Sequence, residues 1–161
     1  SKMGKSISSS RVLVCGASYR QDVGDTRYSG SEIVVRRLAE LGAVVSVHDP
    51  YVKSWPEFTD QESDKYGKMQ FFENQGKLTS LIVESDFEQS LEGKEAIVLA
   101  VPHSEYLNLE PDELLRSVGS PFAIIDCFCI LDDKKIRRFF ELGCEVMGLG
   151  RGHVDYIKDS I

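Results

Sequence analysis

Five short apolar runs limit what this chain can fold into: Arg11–Cys15, Ala43–Val47, Ala96–Val101, Phe122–Asp126 and Cys144–Leu149. Each is too short for a helix and too continuously apolar for a strand with one wet face, so each reads as a strand buried on both sides. Segments with apolar residues at helical spacing lie between them. Ile33, Val34, Leu38 and Leu41 follow the first run, and Ile136, Phe139, Phe140 and Leu142 precede the last. Parallel neighbours need a long crossover, and an intervening helix supplies it. The expected fold is therefore α/β: a Rossmann-like, doubly wound, mainly parallel sheet with helices on both faces.

Punctuation residues sharpen the boundaries. Ser29-Gly30-Ser31-Glu32 has the form of a capping box, and Gly42 stands where the first helix needs a left-handed residue after its end. Pro50 and Pro102 stop the second and third runs, while Pro111 suits the first position of a helix over Asp112–Val118. Asp132 caps the last periodic segment and Gly143 closes it. Leu81–Val83 reads as a short strand, and Asp86 caps a turn or two ending at Leu91. Tyr51–Leu78, broken by Trp55-Pro56, Gly67 and Gly76, reads as a surface excursion with a short strand at Lys68–Phe72. His103–Tyr106 reads as a loop, and the tail from Gly150 to Tyr156 as irregular chain over the sheet edge or against another domain. Residues 1–10, rich in Ser, Lys and Gly, read as a flexible lead-in or a remnant of expression, leaving 11–161 as a single domain.

The 161 residues suffice for one hydrophobic core, and a net charge of −7 argues against a general nucleic-acid binder. No apolar run approaches the roughly 20 residues of a membrane span. Cys15, Cys127, Cys129 and Cys144 lack disulfide-scaffold spacing, which points to a reduced, cytoplasmic protein. Cys127 and Cys129 would share one strand face, but without further ligands at metal spacing they read as small buried hydrophobes rather than a metal site.

Doubly wound sheets bind ligands at the carboxyl ends of their strands, which here means Gly16–Arg27, His48–Asp49, Val101–Tyr106 and Asp126–Cys129. Arg20 and Arg27 bracket the first of these loops. Each could grip a diphosphate beside a helix start, or pair with Asp22 or Asp25. Gly16 stands alone: a G-x-G-x-x-G fingerprint would need glycine at Ser18 and Gln21, so this loop does not read as an ordinary NAD site. Asp49 sits where a dinucleotide fold holds a ribose, but Pro50-Tyr51 makes it a turn-former by preference. His103 offers an acid or base, but no nucleophile pairs with it in the sequence, and it reads as a hydrogen-bonded loop histidine.

The tract Ser18-Tyr-Arg-Gln-Asp-Val-Gly-Asp-Thr-Arg-Tyr-Ser29 resembles the A-[FY]-K-x-[DN]-x-x-D-x-R-x-S tract that opens the C-terminal, nucleotide-sugar-binding domain of the UDP-glucose/GDP-mannose dehydrogenase family. Val47–Val52, His103–Tyr106 and Ile125-Asp126 agree with it in order and spacing, so the resemblance spans residues 11–150. It implies that Tyr19 and Arg20 contact substrate, with Arg20 standing where the family has lysine. Arg27 would reach towards NAD held by a separate N-terminal domain, with Asp25 orienting it. It implies one part of an NAD-dependent UDP-sugar 6-dehydrogenase that oxidises the sugar C6 alcohol to a carboxylate for polysaccharide precursors. UDP is the expected nucleotide, with UDP-N-acetylmannosamine or UDP-glucose ahead of GDP-mannose. The expected partners are the rest of its own polypeptide and a second copy in a homodimer; alone, the chain should be inactive. No cysteine lies in the family's G-G-x-C-like context, so none is assigned as nucleophile. After Asp126 many members carry a substrate-binding arginine, where this chain has Cys127-Phe128-Cys129-Ile130; Arg151 or a neighbouring subunit could supply the charge. The alternative is a stand-alone nucleotide-sugar-binding module without oxidoreductase activity.

Overall fold

Val12 and Val14 face one side of a central strand and Leu13 and Cys15 the other, and all four are buried. A strand that is dry on both faces demands cover on both faces. The computed structural model describes residues 6–59, 78 and 81–161. Its strands are β1 (Arg11–Cys15), β2 (Val44–His48), β3 (Val83–Glu84), β4 (Ala96–Leu99), β5 (Ala123–Asp126) and β6 (Glu145–Gly148). They make one sheet in the order β3-β2-β1-β4-β5-β6, parallel throughout. This is the doubly wound order, with its switch point between β1 and β4.

The helices are α1 (Gly30–Glu40), α2 (Pro56–Thr59), α3 (Phe87–Leu91), α4 (Ser104–Leu107), α5 (Pro111–Val118), α6 (Asp133–Glu141) and α7 (His153–Asp159). Val35 of α1, with Trp55 and Phe58, packs over Val12, Val14 and Val98. Leu114 of α5, Ile136 and Phe139 of α6 and Val154 of α7 belong to the opposite core, with Leu13 and Ile97. Burying such a side chain contributes about 1.5–3 kcal/mol, so the two apolar layers hold the sheet in place.

Several details differ from the sequence reading. Ser29 caps α1, but its hydroxyl accepts from the Ser31 amide, and Glu32 pairs instead with Arg36 at 2.7 Å, so the reciprocal capping box is not made. The inward residues of α1 include Ser31 and Val35, whereas Ile33 and Leu41 face solvent, because the helix rotates its smaller side chains against the sheet. Pro56, read as a breaker, opens α2. The short strand expected at Leu81–Val83 forms at Val83–Glu84, and β4 stops two residues before Val101. His103–Tyr106 is a helical turn rather than a loop: His103 precedes α4 and the ring of Tyr106 is fully buried. The tail is not irregular. Its Arg151 and Val154 pack inward and α7 follows, tied by Lys158 Nζ donating to Glu145 Oε2 at 2.7 Å and by Arg137 donating to Ser160 at 2.9 Å. Two glycines and only two apolar positions, Val154 and Ile157, hide this helix from periodicity. The end of the lead-in is also anchored: the Ser9 amide donates to the Gly42 carbonyl at 2.7 Å and the Val44 amide to the Ser10 carbonyl at 2.8 Å. The strand expected at Lys68–Phe72 lies outside the described residues.

Candidate functional site

The site begins where β1 runs out. The Cys15 carbonyl accepts from the amides of Ala100 and Val101, pulling the end of β4 across Gly16. Gly16 has φ +105°, and a Cβ there would fall 2.4 Å from Val101 Cβ. The chain then leaves the sheet as a loop between the carboxyl ends of β2 and β4.

Asp49, at the end of β2, gathers that loop. Its Oδ2 accepts from the Ala17 amide (2.7 Å) and the Ser18 amide (3.1 Å), and lies 3.0 Å from His103 Nε2. Its Oδ1 accepts from the amides of Tyr51 (2.8 Å) and Val52 (3.0 Å), which is the turn-forming role expected of it. Burial pushes this carboxyl up, but hydrogen bonds from His103, Ala17 and Tyr51 outweigh burial and hold it at about 2. Both oxygens are committed, so none faces a ribose.

His103 closes the arrangement from β4. Its Nδ1 accepts from the Asp22 amide at 2.9 Å, which leaves the ring proton on Nε2, donated towards Asp49 and Ser18 Oγ, each 3.0 Å away. The Asp22 carboxylate accepts from the Ser104 amide (2.9 Å) and hydroxyl (2.6 Å), and these bonds hold its carboxyl below the usual range. Ser18, His103 and Asp49 are all buried, but Ser18 and Asp49 share one ring nitrogen, so they tie the loop rather than form a nucleophile relay.

Between these anchors the side chains of Tyr19 and Arg20 stand out into solvent. The Arg20 guanidinium lies 5.3 Å from the Tyr19 ring centre and, among the described residues, makes no ion pair or hydrogen bond. Arg27 differs. It pairs bidentately with Asp25, Nε to Oδ1 at 2.9 Å and Nη2 to Oδ2 at 2.6 Å, and its hydrogen bonds lower the Asp25 carboxyl to about 2. Of the two ion pairs the sequence allowed, only the second forms. A groove of about 580 Å³ borders this pair, lined among others by Gly24, Asp25, Thr26, Tyr51 and Lys53.

At the far side, Cys127-Phe128-Cys129 does not lie on a strand face. The strand ends at Asp126, whose carboxylate accepts from the amides of Phe128, Ile130 and Leu131, and Cys129 takes φ +57°. Arg151 does reach this loop. Its guanidinium lies 3.6 Å from Asp126 Oδ2, donates to the Leu131 carbonyl and to Asp133 (2.9 Å), and is largely buried. It is bound into the loop's frame rather than presented to solvent. Cys15 and Cys144 are core residues, and burial pushes both thiols up.

The sequence reading placed Tyr19, Arg20 and Arg27 on one loop, and the structure keeps them there, with Tyr19 and Arg20 between the anchors and Arg27 after them. It read His103 as a hydrogen-bonded histidine, which its bonds to Ser18, Asp22 and Asp49 bear out, but gave Ser18 no role. The available signal was the strand order: β2 and β4 both flank β1, so Asp49 and His103 must converge on the loop after β1. The turn does not fit a dinucleotide pyrophosphate, because the Ala17 and Ser18 amides that would face phosphate already donate to Asp49.

A parallel sheet in this order, with a cation-bearing loop at its switch point, defines a nucleotide-binding α/β domain. The chain belongs to the UDP-glucose/GDP-mannose dehydrogenase family, whose UDP binding domain matches residues 13–133. It is 28% identical over 145 residues to a UDP-glucose 6-dehydrogenase of Caenorhabditis elegans, covering 89% of this chain and 28% of that protein. It is 26% identical over 145 residues to a UDP-N-acetyl-D-mannosamine dehydrogenase of Methanocaldococcus jannaschii, covering 88% of this chain and 27% of that protein. The crystal structure of an NDP-N-acetyl-D-galactosaminuronic acid dehydrogenase from Methanosarcina mazei superposes with a TM-score of 0.75 at 25% identity, over 96% of this chain and 27% of that one. The chain thus spans just over a quarter of the length of these relatives.

Proposed function

We propose that this chain is the nucleotide-sugar-binding domain of an NAD-dependent UDP-sugar 6-dehydrogenase, with Tyr19 and Arg20 as its substrate contacts. The observation that carries the reading is Arg20: an exposed guanidinium, unpaired among the described residues, on a loop anchored at both ends, at the switch point of the sheet. A planar fork of donors matches the oxygens of a diphosphate, and an arginine already held by a carboxylate does so less well. Tyr19 offers its face to the base or sugar beside that diphosphate. Arg27, exposed and oriented by Asp25, is the residue that would reach NAD bound by another domain.

Hydride transfer needs NAD and covalent catalysis needs a thiol, and in this reading other domains of a longer enzyme supply both. This chain's own work is to hold the diphosphate and orient the sugar. UDP-glucose and UDP-N-acetylmannosamine are the first candidates, after the relatives named above.

The test is calorimetric titration with UDP-glucose. Arg20→Ala should weaken binding about tenfold or more, the scale of one charge-assisted phosphate contact, while Arg27→Ala leaves it within about twofold. Unchanged affinity in Arg20→Ala overturns the assignment. Incubation of the chain with UDP-glucose and NAD should yield no NADH; measurable NADH would mean that the chain carries the redox machinery itself.

A further inference from the structure

His103 is the one fully buried imidazole that touches both ends of the Tyr19–Arg20 segment, through Ser18 before it and Asp22 after it. Both contacts depend on where its proton is. Nε2 donates towards Asp49 and Ser18, and Nδ1 offers a lone pair to the Asp22 amide. Asp22 sits at φ +55°, a left-handed conformation that aspartate tolerates better than most side chains, and the Nδ1 acceptor satisfies its amide there.

We infer that His103 is the positioning residue of the Tyr19–Arg20 segment, gripping it through the Nδ1 lone pair that accepts from the Asp22 amide, so that a side chain unable to accept at that point loosens the segment and weakens nucleotide-sugar binding. This rests on the reading of Arg20 as the diphosphate contact.

The bond to Nδ1 is the one that holds the Asp22 backbone, just after Arg20. The Ser104 amide (2.9 Å) and hydroxyl (2.6 Å) hold the Asp22 side chain instead. Nε2 serves the other end of the segment, donating towards Ser18 Oγ and Asp49. One ring thus fixes the backbone on both sides of Tyr19 and Arg20, each through a different nitrogen.

Two substitutions separate the two nitrogens. Asparagine can place its amide oxygen near the Nδ1 position and accept from Asp22; the longer glutamine amide can reach Asp49 as a donor but leaves Asp22 without its partner. UDP-glucose is the probe, read by calorimetry. His103→Asn should keep most of the native affinity. His103→Gln should bind about tenfold more weakly, the worth of one lost anchor. In parallel, nitrogen NMR of the native ring should show Nδ1 without a proton, and amide exchange at Asp22 should be faster in His103→Gln than in the native chain or in His103→Asn. Equal affinity in native and His103→Gln overturns the inference and leaves the Arg20 reading standing. If the native chain binds no UDP-glucose, the Arg20 reading falls, and an unchanged Asp22 exchange rate in His103→Gln then overturns the inference on its own.

Discussion

Asp49→Ala is expected to cost about 4 kcal/mol of folding stability, a large share of what a domain of this size has. The carboxylate accepts from the amides of Ala17, Ser18, Tyr51 and Val52 and from His103, and Asp49, Ser18 and His103 are buried. Removing it leaves several donors without a partner, each costing about 1–3 kcal/mol. Asp49→Asn keeps the shape but turns one acceptor into a donor facing donors, and should cost about half as much. The pH dependence has a definite sign. Because the folded-state value is depressed to about 2, against about 3.9 in an unfolded chain, the carboxylate contributes about 2 kcal/mol that is present in full above about pH 5. That contribution is lost as pH falls through 2. Urea unfolding of the native chain should therefore show an acid-side slope that Asp49→Asn lacks in part; identical slopes would mean that the carboxylate is not what ties the loop.

Gly16→Ala is the second large effect, expected at about 3 kcal/mol or more. Two penalties add. A φ of +105° is costly for any residue with a side chain, and the new methyl would stand 2.4 Å from Val101 Cβ and 3.0 Å from Val101 N. Because the collision is with Cβ itself, Val101→Ala should not rescue Gly16→Ala, whereas Val101→Gly in the same background should recover part of the loss. Chemical denaturation of the four chains as a double-mutant cycle checks this, and a zero coupling energy between positions 16 and 101 would show that the strand ends relax apart.

The relation between these residues explains what could be read beforehand. The apolar runs that became β1, β2, β4, β5 and β6 were legible because burial on both faces leaves a continuous signature, and the α1, α5 and α6 boundaries because capping and proline chemistry are local. α7 was not legible, since Val154 and Ile157 alone carry no periodicity and its stability comes from α6 and the Glu145–Lys158 pair. Arg20 and Arg27 looked equivalent, each with an aspartate two residues away, but the Asp22 carboxylate accepts from the Ser104 amide and hydroxyl while the Asp25 carboxylate takes Arg27. Ser29 and Glu32 had the letters of a capping box, yet the tertiary neighbour Arg36 draws Glu32 away.

By itself the sequence determined the doubly wound class, the loop after β1 as the place where chemistry gathers, and the identities of Tyr19, Arg20 and Arg27 on it. Those are matters of periodicity and of residues close together in the chain. Only the tertiary structure decided which of the two arginines takes its neighbouring aspartate, because Asp22 is drawn off by Ser104, which stands 84 residues beyond Arg20 and reaches the loop only because β4 flanks β1. A hydrogen bond acts over about 3 Å of space whatever the distance along the chain, and the strand order is what converts one into the other.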